Sequence, residues 1–100
     1  MKTIQMKDFK PLTNHQTGIK IRELVKLYIE ETTDEILLDF SEIAVCTDSF
    51  SQQITTILAN EITFSIFQKR VKFVNLNDFT KELIKSNLLK AFMKNEQNSK

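Results

Sequence analysis

The sequence has few of the residues from which most chemical sites are built. Its 100 residues include one histidine, His15, and one cysteine, Cys46, about thirty positions apart, whereas a metal site needs several such ligands in a cluster. A single glycine, Gly18, is too few for the glycine-rich loops that hold phosphates in nucleotide-binding proteins. These shortages predict a domain that has no metal ion and no cofactor.

The same shortages argue against an enzyme. Cys46 and His15 supply the thiol and the imidazole, but no third group is evident that would orient them for nucleophilic catalysis. Asp39 and Asp48 could be read as an acid and a base, yet a strand end and a helix start give these carboxylates common structural uses. We therefore expect a noncatalytic protein in which Cys46 is a buried core residue and His15 lies on the surface.

Long apolar runs are also missing. No run approaches the roughly 20 residues that a membrane-spanning helix needs, and Met1 to Phe9 contains lysine and aspartate where an export signal would be apolar. One cysteine cannot form an internal disulfide, which small secreted domains commonly use. We expect a cytoplasmic protein that does not bind to a membrane.

The charges nearly cancel, to a formal net charge of +1, whereas domains that bind nucleic acid usually have a strong basic excess. Nucleic acid is therefore not an expected partner. The distribution is uneven, because the segment from Glu30 to Asp48 contains seven acidic residues and no lysine or arginine. This segment is either a solvated face or a surface that faces a partner.

The content of 41% apolar and 27% charged residues is typical of a globular domain, and the chain is too short for two cores. We assign one domain to residues 1–93 and a frayed polar tail to residues 94–100. Apolar periodicity predicts strands at Thr3–Met6, Glu35–Phe40 and Val71–Leu76, and helices at Gly18–Glu31, Ser49–Asn60 and residues 77–92. The segment from Glu61 to Lys69 has a mixed pattern that fits a helix, a strand or a loop.

This order, β-α-β-α-β-α, predicts an α/β fold with three helices and a small, largely parallel or mixed sheet of about four strands. The predicted helix caps are Thr17, Ser49 and Asn77 or Asp78, and Ser49 matches a capping box with Gln52. All three helix N-termini then lie at the carboxyl edge of the strands, where open α/β sheets place their binding sites.

The stretch LLDFSEIAVCTDSF, from Leu37 to Phe50, resembles the bacterial STAS-like family of uncharacterised small domains, which is related in fold to anti-sigma factor antagonists. The resemblance extends from the first helix to the third. It is carried by Leu38, Asp39 and Phe40, by Ile43 and Val45, by Ser49 and Phe50, by Phe73 to Asn75, and at its ends by Gly18, Arg22, Leu83 and Ile84. It implies a STAS-like fold and a regulatory or adaptor role in which a protein partner is bound. Such a partner could be a kinase-like ATPase of the anti-sigma type.

In anti-sigma factor antagonists, the turn that opens the second helix contains a serine that a partner kinase phosphorylates. An ungapped alignment places Asp48 at that position, while a shift of one residue makes Ser49 the phosphoacceptor. The capping role predicted for Ser49 favours the first alignment. We predict that a partner binds through the turn and helix of residues 47–58, with contacts from Thr47, Asp48, Ser49, Phe50 and Ser51.

Gly18 and Arg22 allow an alternative function. A helix N-terminus with a nearby arginine at the strand-end edge can hold an anion, which would make this a module that binds an anion or a nucleotide. The simpler explanation is that Gly18 permits tight entry of the chain into the helix and that Arg22 is solvated.

Overall fold

The apolar runs predicted as strands form one parallel sheet in the computed structural model, which describes residues 2–98. The strands are β1 (Lys2–Gln5), β2 (Ile36–Asp39) and β3 (Val71–Val74), and β2 lies between the other two. The small α/β architecture is confirmed. The expected count of about four strands is corrected to three among the described residues, because the remaining apolar segments form helices.

The helices are η1 (Met6–Phe9, a 3-10 turn), α1 (His15–Glu31), α2 (Asp48–Ile54), α3 (Thr56–Ile62), α4 (Phe64–Arg70) and α5 (Asp78–Asn98). Both crossovers run in the same direction along the sheet, from β1 to β2 and from β2 to β3. Right-handed connections therefore place α1 and α2–α4 on the same face, and α5 packs against α2, α3 and α4 in that layer. The fold has two layers, a sheet and a layer of helices.

The register of the strands explains which side chains form the core. Leu38 is opposite Ile4 on one side and opposite Phe73 on the other, while Ile36 is opposite Val71. Of these residues, all but Phe73 are buried beneath the helices. The other face of the sheet is exposed or half-buried along all three strands.

The single helix predicted at Ser49–Asn60 is corrected to two, and the undecided segment Glu61–Lys69 is largely helical. The first break is at Thr55, whose hydroxyl donates to the carbonyl of Ser51 at 2.7 Å. The second is at Thr63, which has a φ of 76° and whose hydroxyl caps α4 by accepting from the N–H of Ile66. Local backbone geometry at two threonines therefore divides one amphipathic pattern into three helices.

The sequence predicts the capping residue of α5 but not that of α1. Asn14 caps α1 by accepting a hydrogen bond from the N–H of Thr17 at 2.9 Å, so the predicted cap, Thr17, lies inside the helix. Asn77 caps α5 as one of the two predicted alternatives. Its side-chain oxygen accepts from the N–H of Thr80 at 2.7 Å, and its own N–H donates to the Thr80 hydroxyl at 3.0 Å.

Helix α5 continues to Asn98, beyond Phe92, the last residue of its predicted apolar stripe. The domain limit at residue 93 remains a prediction, and Ser99 and Lys100 of the predicted tail lie outside the described residues. Between residues 2 and 98, no helix combines the length and the apolarity that crossing a bilayer would require.

Candidate functional site

The starts of α1, α2 and α5 come together at the carboxyl edge of the sheet, as the parallel topology predicts. The backbone N–H of Thr47 donates to the carbonyl of Leu12, in the loop that leads into α1, at 3.1 Å. The side chain of Asn77 donates to the carbonyls of Ile43 and Ala44, both at 2.9 Å. The connector between β2 and α2 is therefore held from both sides.

The first turn of α2 is capped by Thr47 rather than by Ser49. The Thr47 hydroxyl accepts from the N–H of Phe50 at 3.3 Å, and Gln52 donates to the carboxylate of Asp48 at 2.6 Å. The predicted capping box between Ser49 and Gln52 is not formed. Because the helix begins one residue before Ser49, the Ser49 side chain is exposed, and its hydroxyl lies 3.4 Å from that of Thr47. Threonine is also a good cap, and an aspartate in the first turn favours this earlier start.

Asn87 of α5 connects that helix to the first turn of α2. Its side chain is fully buried, and its amide nitrogen donates to the Asp48 carboxylate at 3.1 Å and to the Ser51 hydroxyl at 2.7 Å. Among the described residues, its side-chain oxygen has no hydrogen-bond partner. The carboxylate of Asp48 is thus fixed by two amides, those of Gln52 and Asn87.

Sequence reasoning missed Asn87, although a signal was present. Ile84, Asn87 and Ala91 are spaced by three and four residues and share one helix face, and all three are buried. A lone polar residue in an apolar stripe indicates a buried side chain that needs a polar partner.

Burial divides the predicted partner-binding residues into two groups. Phe50 and Ser51 have no exposed surface, so a partner docked at this edge cannot touch them. Asp48 and Ser49 are exposed, and Thr47 is half-buried. The accessible part of the predicted site is therefore the outer side of the first turn.

Two exposed apolar residues flank this turn. Val45 is 57% exposed in the connector before α2, and Phe79 is 54% exposed in the first turn of α5. Asn77 brings the two segments together, since it precedes Phe79 by two residues and bonds the carbonyl of Ala44. We call Val45, Asp48, Ser49 and Phe79 the carboxyl-edge surface.

The ends of β2 and β3 are joined by Asp39 and Asn75, two residues of the motif that carries the family resemblance. One carboxylate oxygen of Asp39 accepts from the Ser41 hydroxyl at 2.6 Å, the Ser41 N–H at 2.9 Å and the Asn75 amide at 3.0 Å. These donors, led by the Ser41 hydroxyl and the Asn75 amide, lower the pKa of Asp39 to about 2. An aspartate this acidic stays ionised at neutral pH, so Asp39 serves the structure and does not exchange protons.

The other two candidate reactive groups are Cys46 and His15. Cys46 is buried, and burial, with a smaller contribution from the charge of Asp48, raises the pKa of its thiol to about 11. The thiol therefore stays protonated and unreactive. His15 is exposed at the first position of α1. The described residues contain no group of three or more histidine, cysteine, aspartate or glutamate side chains that could hold a metal ion.

Gly18 and Arg22 lie where α1 crosses α2. A Cβ atom on Gly18 would be 2.8 Å from the Cβ of Gln53 and 3.0 Å from the carbonyl oxygen of Phe50, so the glycine permits close contact of the two helices. The guanidinium of Arg22 donates to Gln53 and lies 3.3 Å from the carboxylate of Glu61. The arginine faces α2 and α3 and is paired with an acid, which argues against a role in binding an anion.

The acidic segment does not form one surface. Glu30, Glu31 and Glu35 are exposed around the connection from α1 to the start of β2, whereas Glu42 and Asp48 follow the end of β2. Glu42 forms an exposed ion pair with Lys7 at 3.1 Å. Of the acidic residues in this segment, Asp48 is therefore the one that lies in the first turn of α2.

Comparison with protein families gives one match, to a STAS-like domain of unknown function, over residues 17–81. The matched region extends from α1 through β2, α2, α3, α4 and β3 into the start of α5, and it includes Asp39, Asn75 and the first turn of α2. No curated protein and no solved structure shows significant similarity to the chain.

Proposed function

Since this chain belongs to the family of STAS-like domains of unknown function, we propose that it is a noncatalytic regulatory domain that binds a protein partner through the carboxyl-edge surface. The observation that carries the proposal is the exposure of two apolar side chains, Val45 and Phe79, at the edge where α2 and α5 begin. Apolar side chains grouped at a functional edge of an α/β sheet are typical of an interaction site.

The two apolar residues can provide most of the binding energy. Burial of a valine or phenylalanine side chain contributes roughly 1.5–3 kcal/mol each, and aromatic anchors often dominate protein interfaces. Asp48 adds a negative charge whose position is fixed by Gln52 and Asn87. A fixed charge at the rim selects a partner with a basic group opposite it and disfavours an acidic one.

The surface is also well ordered before any partner binds. Thr47 is tied to Leu12, and Asn77 is tied to Ile43 and Ala44, so the backbone on both sides of Val45 is held by hydrogen bonds. Preorganisation of this kind supports affinity, because less conformational freedom is lost on association.

The family resemblance favours a kinase-like ATPase of the anti-sigma type as the partner. Ser49 is then the position at which such a partner would regulate binding, because its hydroxyl is exposed and is not used to cap the helix. A phosphate on Ser49 would place a charge of about −2 beside Asp48 on the carboxyl-edge surface. We expect this charge to weaken docking of an apolar partner surface.

The alternative function, binding of an anion or nucleotide near Gly18, Arg22 and Ser49, has less support. Arg22 is already paired with Glu61, and Gly18 is covered by Gln53. A thermal-shift panel of phosphates and nucleotides separates the two proposals. A bound ligand at a hundred times its dissociation constant adds roughly 2.7 kcal/mol of stability, whereas the protein-binding domain proposed here shows no shift.

The proposal is tested by quantitative pull-down from an extract of the cells that express the protein. The baits are the wild type, Asp48→Lys, Phe79→Ser and, as a matched control, Leu27→Ser, which removes an apolar residue 48% exposed on α1. We expect specific partners to be recovered by the wild type and the control and to be lost with the two edge variants. Equal recovery by all four baits would rule out this surface.

A further inference from the structure

A second surface lies on the side of the molecule formed by β3, α4 and α5. These elements line an open apolar groove of about 650 Å³. Two aromatic pairs line it: the ring centroids of Phe64 and Phe92 are 5.9 Å apart, and those of Phe67 and Phe73 are 6.2 Å apart. Leu89 and Phe92 on α5 are 58% and 43% exposed, so the groove leaves considerable apolar surface in contact with water.

The groove arises because α5 has two apolar stripes. Ile84, Asn87 and Ala91 are buried on the stripe that packs against α2 and α3. Ile84, at the border of that stripe, lines the groove together with Leu88 and Leu89 on the adjacent side of the helix. This second stripe is only partly covered: Leu88 packs against the core and Phe92 lies beside Phe64, but Leu89 and Phe92 remain exposed.

The outer edge of β3 borders the same groove. Within the described residues, β3 pairs only with β2, and the carbonyl of Val74 accepts from the N–H of Phe40 on that side. Backbone groups alternate in direction along a strand, so the N–H and carbonyl of Phe73 point to the opposite side, towards the groove. An unpaired strand edge next to apolar side chains is the arrangement to which extended peptides add as an extra strand.

The rim of the groove is basic. Lys72, Lys81 and Lys85 line it, and no acidic residue does. The ion pairs of the described residues engage Lys7, Arg22 and Lys26 instead. The groove therefore combines a free strand edge, an apolar floor and a rim that contains three lysines.

We propose that this groove binds an extended, acidic segment of another protein, which adds as a fourth strand along β3. Alternate side chains of the segment are apolar and enter the groove, and the acidic side chains face Lys72, Lys81 and Lys85. A second copy of this chain fits less well, because a two-fold interface at β3 would set the two groups of lysines against each other. This surface involves different residues from the carboxyl-edge surface and does not depend on the function proposed there.

The probe for this inference is a fluorescent peptide that alternates valine with glutamate. Matched peptides replace glutamate by lysine, or keep the composition but group the valines together. We expect saturable binding of the acidic alternating peptide, and binding at least tenfold weaker for each matched peptide. The double variant Lys81→Glu/Lys85→Glu should reverse the preference to the lysine peptide, whereas Lys20→Glu, an exposed lysine on α1, should leave it unchanged.

Nuclear magnetic resonance locates the peptide. Amide shifts on titration should concentrate in β3, α4 and the stripe of α5 that includes Leu89, and Leu89→Glu should abolish them. Absence of saturable binding, equal binding of acidic and basic peptides, shifts confined to other elements, or self-association through β3 would each overturn the inference. Binding of a fatty acid in the groove, with no binding of any of the peptides, would also overturn the inference.

Discussion

The side-chain amide of Asn87 lies 3.1 Å from the carboxylate of Asp48, 39 positions earlier in the chain. This hydrogen bond joins the last helix to the first turn of α2 and fixes the charge on the carboxyl-edge surface. The same amide also bonds Ser51, so one buried residue positions both the exposed and the buried side of the turn.

Asn87→Asp should destabilise the protein strongly at neutral pH. The new carboxyl would be buried and would face Asp48, and both effects raise its pKa in the folded state above the unfolded value near 4. A rise of about 2 units corresponds to a loss of about 2.7 kcal/mol at pH 7. Because the folded pKa is raised, the loss should shrink as the pH falls through it. Urea unfolding at pH 7 and pH 5 measures this, with the exposed substitution Asn60→Asp as control. A loss that is independent of pH would contradict the contact with Asp48.

Asp39 should give the wild type a characteristic sensitivity to acid. Its folded pKa, about 2, lies below the unfolded value near 4, so its stabilising effect is complete above pH 4 and is lost as the pH falls towards 2. Asp39→Asn should lower stability at pH 6 and flatten the dependence between pH 4 and pH 2. Urea midpoints across this range test the prediction, with Glu30→Gln as the matched charge removal. If the two variants have the same acid profile, the hydrogen bonds from Ser41 and Asn75 do not lower the pKa of Asp39.

Gly18→Ala should lower the free energy of unfolding by up to about 2 kcal/mol. Alanine favours a helix over glycine by about 1 kcal/mol, but the added Cβ would overlap Gln53 and the backbone of Phe50, and overpacking costs about 1–3 kcal/mol. Thermal and urea unfolding provide the measurement, and the exposed α1 substitution Gln16→Ala is the control. An increase in stability would show that α1 and α2 are not in such close contact.

Thr63→Gly should stabilise the protein, in contrast to most substitutions by glycine. A φ of 76° with a ψ of 146° is unfavourable for a β-branched residue, and relief of such strain is worth about 1–3 kcal/mol. Loss of the cap to Ile66 and the greater freedom of glycine offset part of this gain. We expect the free energy of unfolding, measured with urea, to rise by about 1 kcal/mol. The control, Thr33→Gly in an exposed bend, should give no increase. A net loss of stability for Thr63→Gly would show that the backbone of Thr63 does not have this unfavourable φ and ψ.

The sequence predicts the features of this fold that depend on local apolar spacing. The three strands, the first helix and the cap at Asn77 follow from periodicity and from residue preferences, and the parallel order follows from the alternation of elements. The division of the second helix does not, because it depends on the conformations of Thr55 and Thr63 and leaves the apolar pattern intact.

The candidate site is predicted in its location but not in its contacts. Phe50 opens the apolar stripe of α2, so periodicity itself indicates that it is buried rather than available to a partner. Thr47 and Ser49 are both good caps, and sequence alone does not choose between them. The periodicity of α5 indicates that Asn87 is buried, but its contact with Asp48 and the position of Phe79 at the site depend on tertiary packing, which no local pattern encodes.

Partner binding at the carboxyl-edge surface is tested most directly by a calorimetric titration of the recovered partner with the wild type and three variants. The dissociation constant should rise at least tenfold for Phe79→Ser and for Asp48→Lys, and it should remain at the wild-type value for Leu27→Ser. Equal constants for the wild type and both edge variants, with all four forms folded, would contradict the proposal that partners bind at this edge.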